Sequence, residues 1–291
     1  MDPPKPEAKS YDTLFVNQDQ AVPPPTPDDI DGSEVLLNET TGSRVVRIQQ
    51  FVIKYGIFVA PIEAHNMLYV AKSTTVPVPK VYAIYQRYDK HMEEIVTYIV
   101  MQYVQGKTLL DLWSSLDQDR KLSVAHTLRT YMDQLRQLQH PGYFGNIDGG
   151  PPLDDLFLET PLAKEINSSF ETVEQLVECI IRIYTTTTGE RTVHKARYYQ
   201  DVLPTALRID STPAFTHNDF QRKNIMVQDD GGLVIIDWEF ASWYPMYWEY
   251  STATWANGGW YDDWHDYVRI ILDNYPTQSL WLSSMKLEMW S

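Results

Sequence analysis

Residues 215–239 read FTHNDFQRKNIMVQDDGGLVIIDWE, and this stretch decides the fold. An apolar strand delivers His217 and Asp219 into a loop, and Asn224 follows Asp219 by five residues. Two short apolar runs then flank a turn of sequence DDGG, which is typical of a β-hairpin. Such a hairpin returns the chain so that Asp237 is expected to lie beside Asn224.

The oxygen-bearing side chains of this stretch predict a particular chemistry. Mg²⁺ prefers hard oxygen ligands and usually keeps water and substrate phosphates in its shell. The amide of Asn224 and the carboxylate of Asp237 would supply the protein's share of such a shell. Asp219 is left to orient a hydroxyl nucleophile and to accept its proton. Phosphoryl transfer requires little more from a protein than this positioning and charge neutralisation.

The pattern H-x-D-x-x-x-x-N, followed by a buried strand and an Asp, resembles protein kinases and their small-molecule relatives. Residues 237–239 read DWE rather than DFG, which is closer to the aminoglycoside phosphotransferase family. The separation of nine residues between Lys54 and Glu63, and the stretch TTVPVPKVY at residues 74–82, resemble the fungal-type branch of that family. The resemblance implies an α+β, two-lobed protein-kinase-like fold with a β-rich N-lobe and a helical C-lobe. It also implies an enzyme that uses ATP and Mg²⁺, bound in the cleft between the lobes, to phosphorylate a hydroxyl of a small molecule.

The same resemblance implies a set of nucleotide-binding residues upstream. A lysine is expected inside a strand, and the apolar run FVIKYG supplies Lys54 to hold the α- and β-phosphates. Its partner is expected on the next helix, where Glu63 follows nine residues later. The backbone at Tyr103, in VMQYVQG, is the expected contact for adenine. The phosphate-covering loop is reduced to NETTGS, with Gly42 as its single glycine.

Composition along the chain predicts three regions. Residues 1–32 are rich in proline and are expected to be disordered or peripheral. Residues 33–104 are expected to form the ATP-binding N-lobe, with a helix over 62–72. Residues 105–291 are expected to form the C-lobe, with the catalytic loop, the metal site, the acceptor pocket and a helix over 165–184. N-lobe strands are predicted at residues 44–48, 51–55, 80–85 and 95–103.

Charge and cysteine content narrow the function class. The 291 residues carry a formal net charge of -15, which repels nucleic acid and anionic membranes. No run of 18 uncharged apolar residues is present, so no membrane span is predicted. The single cysteine, Cys179, and an N-terminus without an apolar signal core fit a reducing compartment. These features predict a cytoplasmic location.

The acceptor is not named by any motif, and the oligomeric state stays open. The stretch from Trp255 to Trp264 combines aromatic rings with carboxylates, an arrangement that can hold an ammonium group. It would suit a cationic acceptor, such as an amino sugar or a choline-like alcohol. The alternative is that these rings pack helix faces into the lobe.

Two other functions remain as alternatives. The first is phosphorylation of a choline-like alcohol or of a protein side chain, although no segment after Asp237 resembles an activation loop ending in A-P-E. The second is a non-catalytic, kinase-like nucleotide-binding protein. That reading requires the loss of at least one of Lys54, Asp219, Asn224 and Asp237, and all four are present.

Overall fold

The protein is described by a computed structural model over residues 11–30, 35–256 and 262–290. The chain divides into two compact units. The first comprises Met1–Ala71 and Val78–Gln105, and the second comprises Lys72–Pro77 and Gly106–Ser291. None of the helices within the described residues is both long and apolar enough to cross a bilayer.

The first unit is built on one antiparallel sheet. Its strands are β1 (Asp12–Val16), β2 (Val35–Thr40), β3 (Ser43–Ile48), β4 (Phe51–Gly56), β5 (Val81–Asp89) and β6 (Glu94–Gln102). They lie in the order β1-β5-β6-β4-β3-β2. The helix α1 (Pro61–Ser73) follows β4 and begins with a proline, which suits the first turn of a helix. Alternate residues such as Ile53, Ala83 and Val100 point into the core of the sheet and are fully buried.

The N-terminal segment differs from the sequence prediction. Residues 12–16 form β1, which pairs with β5 at the edge of the sheet rather than remaining without regular structure. The ring of Tyr11 packs edge-on against Tyr85, and Ile30 is buried in the core. The prolines that suggested a tail lie at residues 3, 4 and 6 and again from residue 23 onward, so none of them falls within this strand. Residues 1–10 and 31–32 of the predicted tail lie outside the described part of the chain.

The second unit is mainly helical. Its helices are α2 (Leu109–Leu112), α3 (Gln118–Arg136), α4 (Asp155–Leu158), α5 (Val173–Thr188), α6 (Val193–Ala206), α7 (Trp248–Ala256), α8 (Trp264–Ile271) and α9 (Pro276–Met289). Its short strands are β7 (Lys107–Thr108), β8 (Pro213–Thr216), β9 (Ile225–Val227), β10 (Leu233–Ile235) and β11 (Ser242–Pro245).

The helix predicted over residues 165–184 is shifted along the chain. It begins at Val173 because the hydroxyl of Thr172 accepts a hydrogen bond from the N–H of Gln175, which caps the helix there. The helix then continues to Thr188, beyond the predicted end. Its apolar face, including Leu176 and Ile180, packs into the main core of the unit.

Two strand pairs carry the residues that the sequence singled out. β8 pairs with β11, and together they deliver the chain into the loop that starts at His217. β9 and β10 form the predicted hairpin, with Ile225 opposite Ile235. The hairpin therefore starts just after Asn224 and ends just before Asp237, which holds the two ends of the stretch next to each other.

Candidate active site

In the first unit, Lys54 and Glu63 form a buried ion pair. Lys54 lies on β4, between Val45 of β3 and Ile99 of β6. Its Nζ lies 2.9 Å from Oε2 of Glu63 in the first turn of α1, and the two side chains are 11% and 2% exposed. A charge at this depth is costly unless it is paired. The structure thus brings together the two residues that the sequence predicts as partners.

The turn between β2 and β3 gives Gly42 a structural role. Gly42 has a φ of 78°, a left-handed conformation that glycine adopts without strain. Its carbonyl accepts a hydrogen bond from the N–H of Phe58 at 3.2 Å. A Cβ on Gly56 would lie 2.0 Å from that carbonyl oxygen, so the turn packs directly on the end of β4. A Cβ on Gly42 would itself lie 2.4 Å from the ring of Phe58, which explains the glycine at this position, while its contact with phosphate stays a prediction.

The N–H groups around Tyr103, where the adenine contact is expected, form hydrogen bonds within the protein. The N–H of Tyr103 donates to the carbonyl of Gln50 at 3.0 Å, and the N–H of Gln102 donates to Lys80 at 2.8 Å. The Tyr103 ring lies under the guanidinium of Arg47, 3.7 Å from its carbon. These two N–H groups are thus bonded within the protein, while the contact of the Tyr103 backbone with adenine stays a prediction.

In the second unit, His217 braces the loop that carries Asp219. Its Nε2 lies 3.0 Å from the carbonyl of Ile236, and its Nδ1 accepts the N–H of Asp219 at 3.2 Å. A proton on Nε2, with Nδ1 left as the acceptor, satisfies both partners. The fully buried ring therefore joins the loop to the end of the hairpin.

The carboxylate of Asp219 is held by donors from its own loop. Its Oδ2 accepts from Nδ2 of Asn224 at 2.7 Å and lies 3.2 Å from Nζ of Lys223. Its Oδ1 accepts from the side-chain amide of Gln221. These donors fix the orientation of the carboxylate within the loop.

The backbone brings Asn224 and Asp237 to neighbouring positions, and their side chains carry the oxygen atoms that Mg²⁺ prefers. The Asn224 Nδ2 donates both to the backbone carbonyl of Asp219, at 2.9 Å, and to its carboxylate. The amide oxygen of Asn224 is thereby turned away from Asp219. The N–H of Ile236 donates to the Asn224 carbonyl at 2.9 Å, which places Asp237 next in the chain beside Asn224. One amide oxygen and one carboxylate form a hard-oxygen pair of the kind Mg²⁺ binds.

Glu249 is a loop-holding residue that sequence reasoning missed. This side chain on α7 is buried, its Oε2 accepts the N–H of His217 at 2.7 Å, and its Oε1 accepts the N–H of Asn218 at 3.0 Å. Burial raises the pKa of Glu249, against the opposing effects of His217 and of these two N–H groups. Thirty-two residues separate Glu249 from His217, so no local pattern indicates the contact. The only signal is an acidic residue between aromatic ones.

The acidic residues near Trp264 are already paired within the chain. Oδ2 of Asp262 lies 2.7 Å from Nη1 of Arg222, whose side chain is only 9% exposed. Oδ2 of Asp263 lies 2.8 Å from Nζ of Lys121. The predicted carboxylates of an ammonium site thus have partners of their own.

The aromatic rings of this cluster are covered as well. The Arg222 guanidinium lies 5.4 Å from the ring centroids of both Trp113 and Trp264. The two rings meet edge-to-face at 4.8 Å. These contacts pack α8 against the loop that carries Arg222. Trp260 and Tyr261 of the predicted site lie outside the described residues.

Comparison with known proteins fits this arrangement. The sequence matches the family described as "Phosphotransferase enzyme family" over residues 25–275. A thermostable mutant of aminoglycoside phosphotransferase APH(4)-Ia in its apo form is similar in structure, with a TM-score of 0.58 and 18% identity over 89% of this chain and 83% of that one. The streptomycin–ATP–APH(2")-IIa ternary complex gives a TM-score of 0.54 and 12% identity over 88% and 81% of the two chains. None of the curated proteins matches the sequence.

The antiparallel sheet of the first unit and the helical second unit, with its catalytic-loop hairpin, define an α+β fold of the protein-kinase-like type. Because the family match spans most of the chain, the protein belongs to the phosphotransferase enzyme family. Both the fold class and the family predicted from the sequence are confirmed.

Proposed function

We propose that this protein transfers the γ-phosphate of ATP to a hydroxyl group of a small molecule, with Mg²⁺ as cofactor. The observation that carries the proposal is the hydrogen-bonded group of Asp219 and Asn224, with Asp237 returned beside it by the hairpin. Similar structures were solved with ATP and streptomycin, or with AMP-PNP and hygromycin B, which supports a nucleotide and a small acceptor as substrates.

Asp219 is the proposed catalytic base. The acceptor hydroxyl gives its proton to the Asp219 carboxylate as its oxygen forms a bond to the γ-phosphorus. The bond from that phosphorus to the β–γ bridging oxygen breaks, and ADP leaves with the electron pair. Gln221 and Asn224 hold the carboxylate in place for this step. The protein's contribution is mainly the position and charge of these groups.

The metal would be held by Asn224 and Asp237. When bound there, Mg²⁺ would neutralise negative charge on the phosphates of the nucleotide. Asn224 also donates to Asp219, so one side chain would fix both the base and a metal ligand.

The first unit supplies the proposed nucleotide contacts. Lys54, oriented by Glu63, would bind the α- and β-phosphates through its ammonium group. The turn at Gly42 would lie over the phosphates. Because the Tyr103 N–H is engaged with Gln50, Val104 is the next residue whose N–H could serve the adenine ring.

The proposed acceptor is a small hydroxyl compound. Similar structures contain the aminoglycosides kanamycin and gentamicin, so a cationic acceptor is included in the proposal. Any binding of an ammonium group would have to use residues other than Asp262 and Asp263, because Arg222 and Lys121 already neutralise them. The net charge of -15 supports a cytoplasmic enzyme that binds neither nucleic acid nor anionic membranes.

An acceptor screen tests the proposal. ADP formation from MgATP and from MgGTP would be followed with a panel of aminoglycosides, amino alcohols and neutral sugars, using Asp219→Asn as the blank. We expect at least one acceptor to raise ADP formation in the natural protein and not in the variant. If MgATP leaves the melting temperature unchanged and no acceptor raises turnover, the proposal fails.

A further inference from the structure

Asn218, the residue between His217 and Asp219, has an unusual backbone conformation. Its φ is 68°, in the left-handed region that non-glycine residues rarely adopt. Asparagine tolerates this region better than most side chains, but the conformation still has to be enforced by its surroundings. The residue is buried, and the same peptide unit leads directly into Asp219.

The side chain of Asn218 is fixed on both ends of its amide. Its Nδ2 donates to the carbonyl of Leu153 at 3.2 Å and to Oδ2 of Asp154 at 3.1 Å. Its Oδ1 accepts from Nε1 of Trp248 at 3.0 Å. A buried amide with partners at both ends cannot rotate without losing hydrogen bonds, so it holds the loop in one conformation.

Asp154 connects this amide to the C-terminal helix. Its Oδ1 lies 3.2 Å from Nζ of Lys286 on α9, and the two side chains are 5% and 12% exposed. The same oxygen accepts the N–H of Leu156 at 2.8 Å and caps α4. Burial alone would raise the pKa of Asp154, but Lys286 and the hydrogen-bond donors outweigh it, so the pKa is lowered. Asp154 is therefore a buried carboxylate whose counter-ion comes from the last helix.

We propose that Asn218 is a positioning residue for Asp219, and that Lys286 acts on it through Asp154, so that α9 sets the geometry of the catalytic loop. This inference rests on the proposed function of Asp219 as the base. A chain of three buried side chains transmits the position of α9 to the peptide before Asp219. A displacement of about 1 Å at a reacting group can cost about 100-fold in rate.

Two substitutions at Asn218 distinguish the effect of its side-chain hydrogen bonds from the effect of its backbone conformation. Asn218→Gly permits the positive φ but removes the hydrogen bonds to Leu153, Asp154 and Trp248. Asn218→Ala removes the same bonds and adds backbone strain. Asn218→Gly should lower kcat by about 10- to 100-fold and leave the KM for ATP within about 2-fold, since the nucleotide contacts are not touched.

The role of α9 is tested with a matched pair of variants. Lys286→Met removes the counter-ion of Asp154, whereas Glu288→Ala removes another set of bonds on the same helix, to Tyr184 and Tyr199 on α5 and α6. We expect Lys286→Met to lower kcat and Glu288→Ala to lower only the melting temperature. If Lys286→Met does not fold, Asp154→Asn with Lys286→Met removes both charges and keeps an amide oxygen to accept from Asn218.

Amide hydrogen exchange gives a readout that needs no acceptor. Exchange in the peptide over residues 215–224 should become about 10-fold faster in Asn218→Gly and Lys286→Met, and stay unchanged in Glu288→Ala. If the natural protein transfers phosphate while both variants keep its kcat and its exchange rates, the positioning inference is wrong and the proposed function stands. If the natural protein transfers no phosphate, the proposed function itself fails.

Discussion

Nζ of Lys54 and Oε2 of Glu63 are 2.9 Å apart, in a pair that the surrounding strands and helix almost completely bury. The pair is made by the centre of β4 and the first turn of α1, two elements that follow each other in the chain. Such a pair is rarely needed for stability, because two apolar side chains of similar size often serve as well. Its presence fits a site that needs an oriented ammonium group.

Removing the lysine should affect stability and nucleotide binding together. Lys54→Met leaves Glu63 buried without its counter-ion, so we expect the free energy of unfolding to fall by about 3–5 kcal/mol. The rise in melting temperature caused by MgATP should also disappear. Urea unfolding and thermal shift with and without MgATP measure the two effects.

A double variant separates these effects. Lys54→Met with Glu63→Leu removes both charges, and most of the lost stability should return. The MgATP-induced shift should remain absent, because the phosphate-binding ammonium is gone. A double variant that still gains the full shift from MgATP would show that Lys54 does not bind the nucleotide.

Glu249 should be essential for the fold of the catalytic loop. Glu249→Ala leaves the buried N–H groups of His217 and Asn218 without their acceptor, which costs about 1–3 kcal/mol for each. We expect lower stability and a loss of turnover in the same variant. Chemical unfolding and initial rates measure both. Full activity in a folded Glu249→Ala protein would contradict the loop-holding role.

Asp154 and Glu249 should give opposite pH dependences of stability. The folded pKa of Asp154 is lowered, so its contribution is present above its unfolded pKa of about 3.9 and is lost as pH falls through the folded pKa. The folded pKa of Glu249 is raised, so its carboxylate costs stability as pH rises above its unfolded pKa of about 4.3.

Unfolding free energies at several pH values compare these two groups. The advantage of the natural protein over Asp154→Asn should shrink as the solution becomes more acidic than pH ~4. The free energy of unfolding of the natural protein, relative to that of Glu249→Gln, should instead rise as the pH falls over the same range. Parallel pH profiles for both variants would show that one of the two pKa directions is wrong.

Replacing Arg222 in the aromatic cluster should destabilise the protein more than replacing Lys121. The two ion pairs are similarly exposed, but the Arg222 guanidinium lies near two rings, Trp113 and Trp264, whereas Lys121 lies near Trp113 alone. We expect Lys121→Met to cost about 1 kcal/mol, because Asp263 is 43% exposed and keeps Nε1 of Trp113 as a donor. Arg222→Met should cost more and also lower turnover, because Arg222 belongs to the catalytic loop. Equal losses of stability and unchanged turnover would contradict this difference.

Local patterns in the sequence predicted the parts of the site that are close along the chain. The hairpin that joins Asn224 to Asp237 follows from two short apolar runs and a turn, whereas the pairing of Lys54 with Glu63 is implied by the family resemblance. The sequence could not indicate Glu249, whose contact with His217 depends on how α7 packs against the loop.

Two other features of the structure could not be predicted for the same reason, because they depend on contacts between distant segments of the chain. The N–H of Tyr103 is engaged because the turn between β3 and β4 brings the carbonyl of Gln50 to it. The carboxylates Asp262 and Asp263 near Trp264 are paired because Arg222 and Lys121 reach them from distant segments. Tertiary contacts of this kind leave no periodic signal in the sequence.

The product of the reaction tests the central claim most directly. With an acceptor from the screen and MgATP, phosphorus nuclear magnetic resonance should show ADP and a phosphate monoester of the acceptor in equal amounts. Asp219→Asn should lower this turnover by roughly 10²–10⁴-fold, the usual range for a positioned base, while MgATP still raises its melting temperature. Formation of inorganic phosphate without any monoester, or unchanged transfer by Asp219→Asn, would contradict the account.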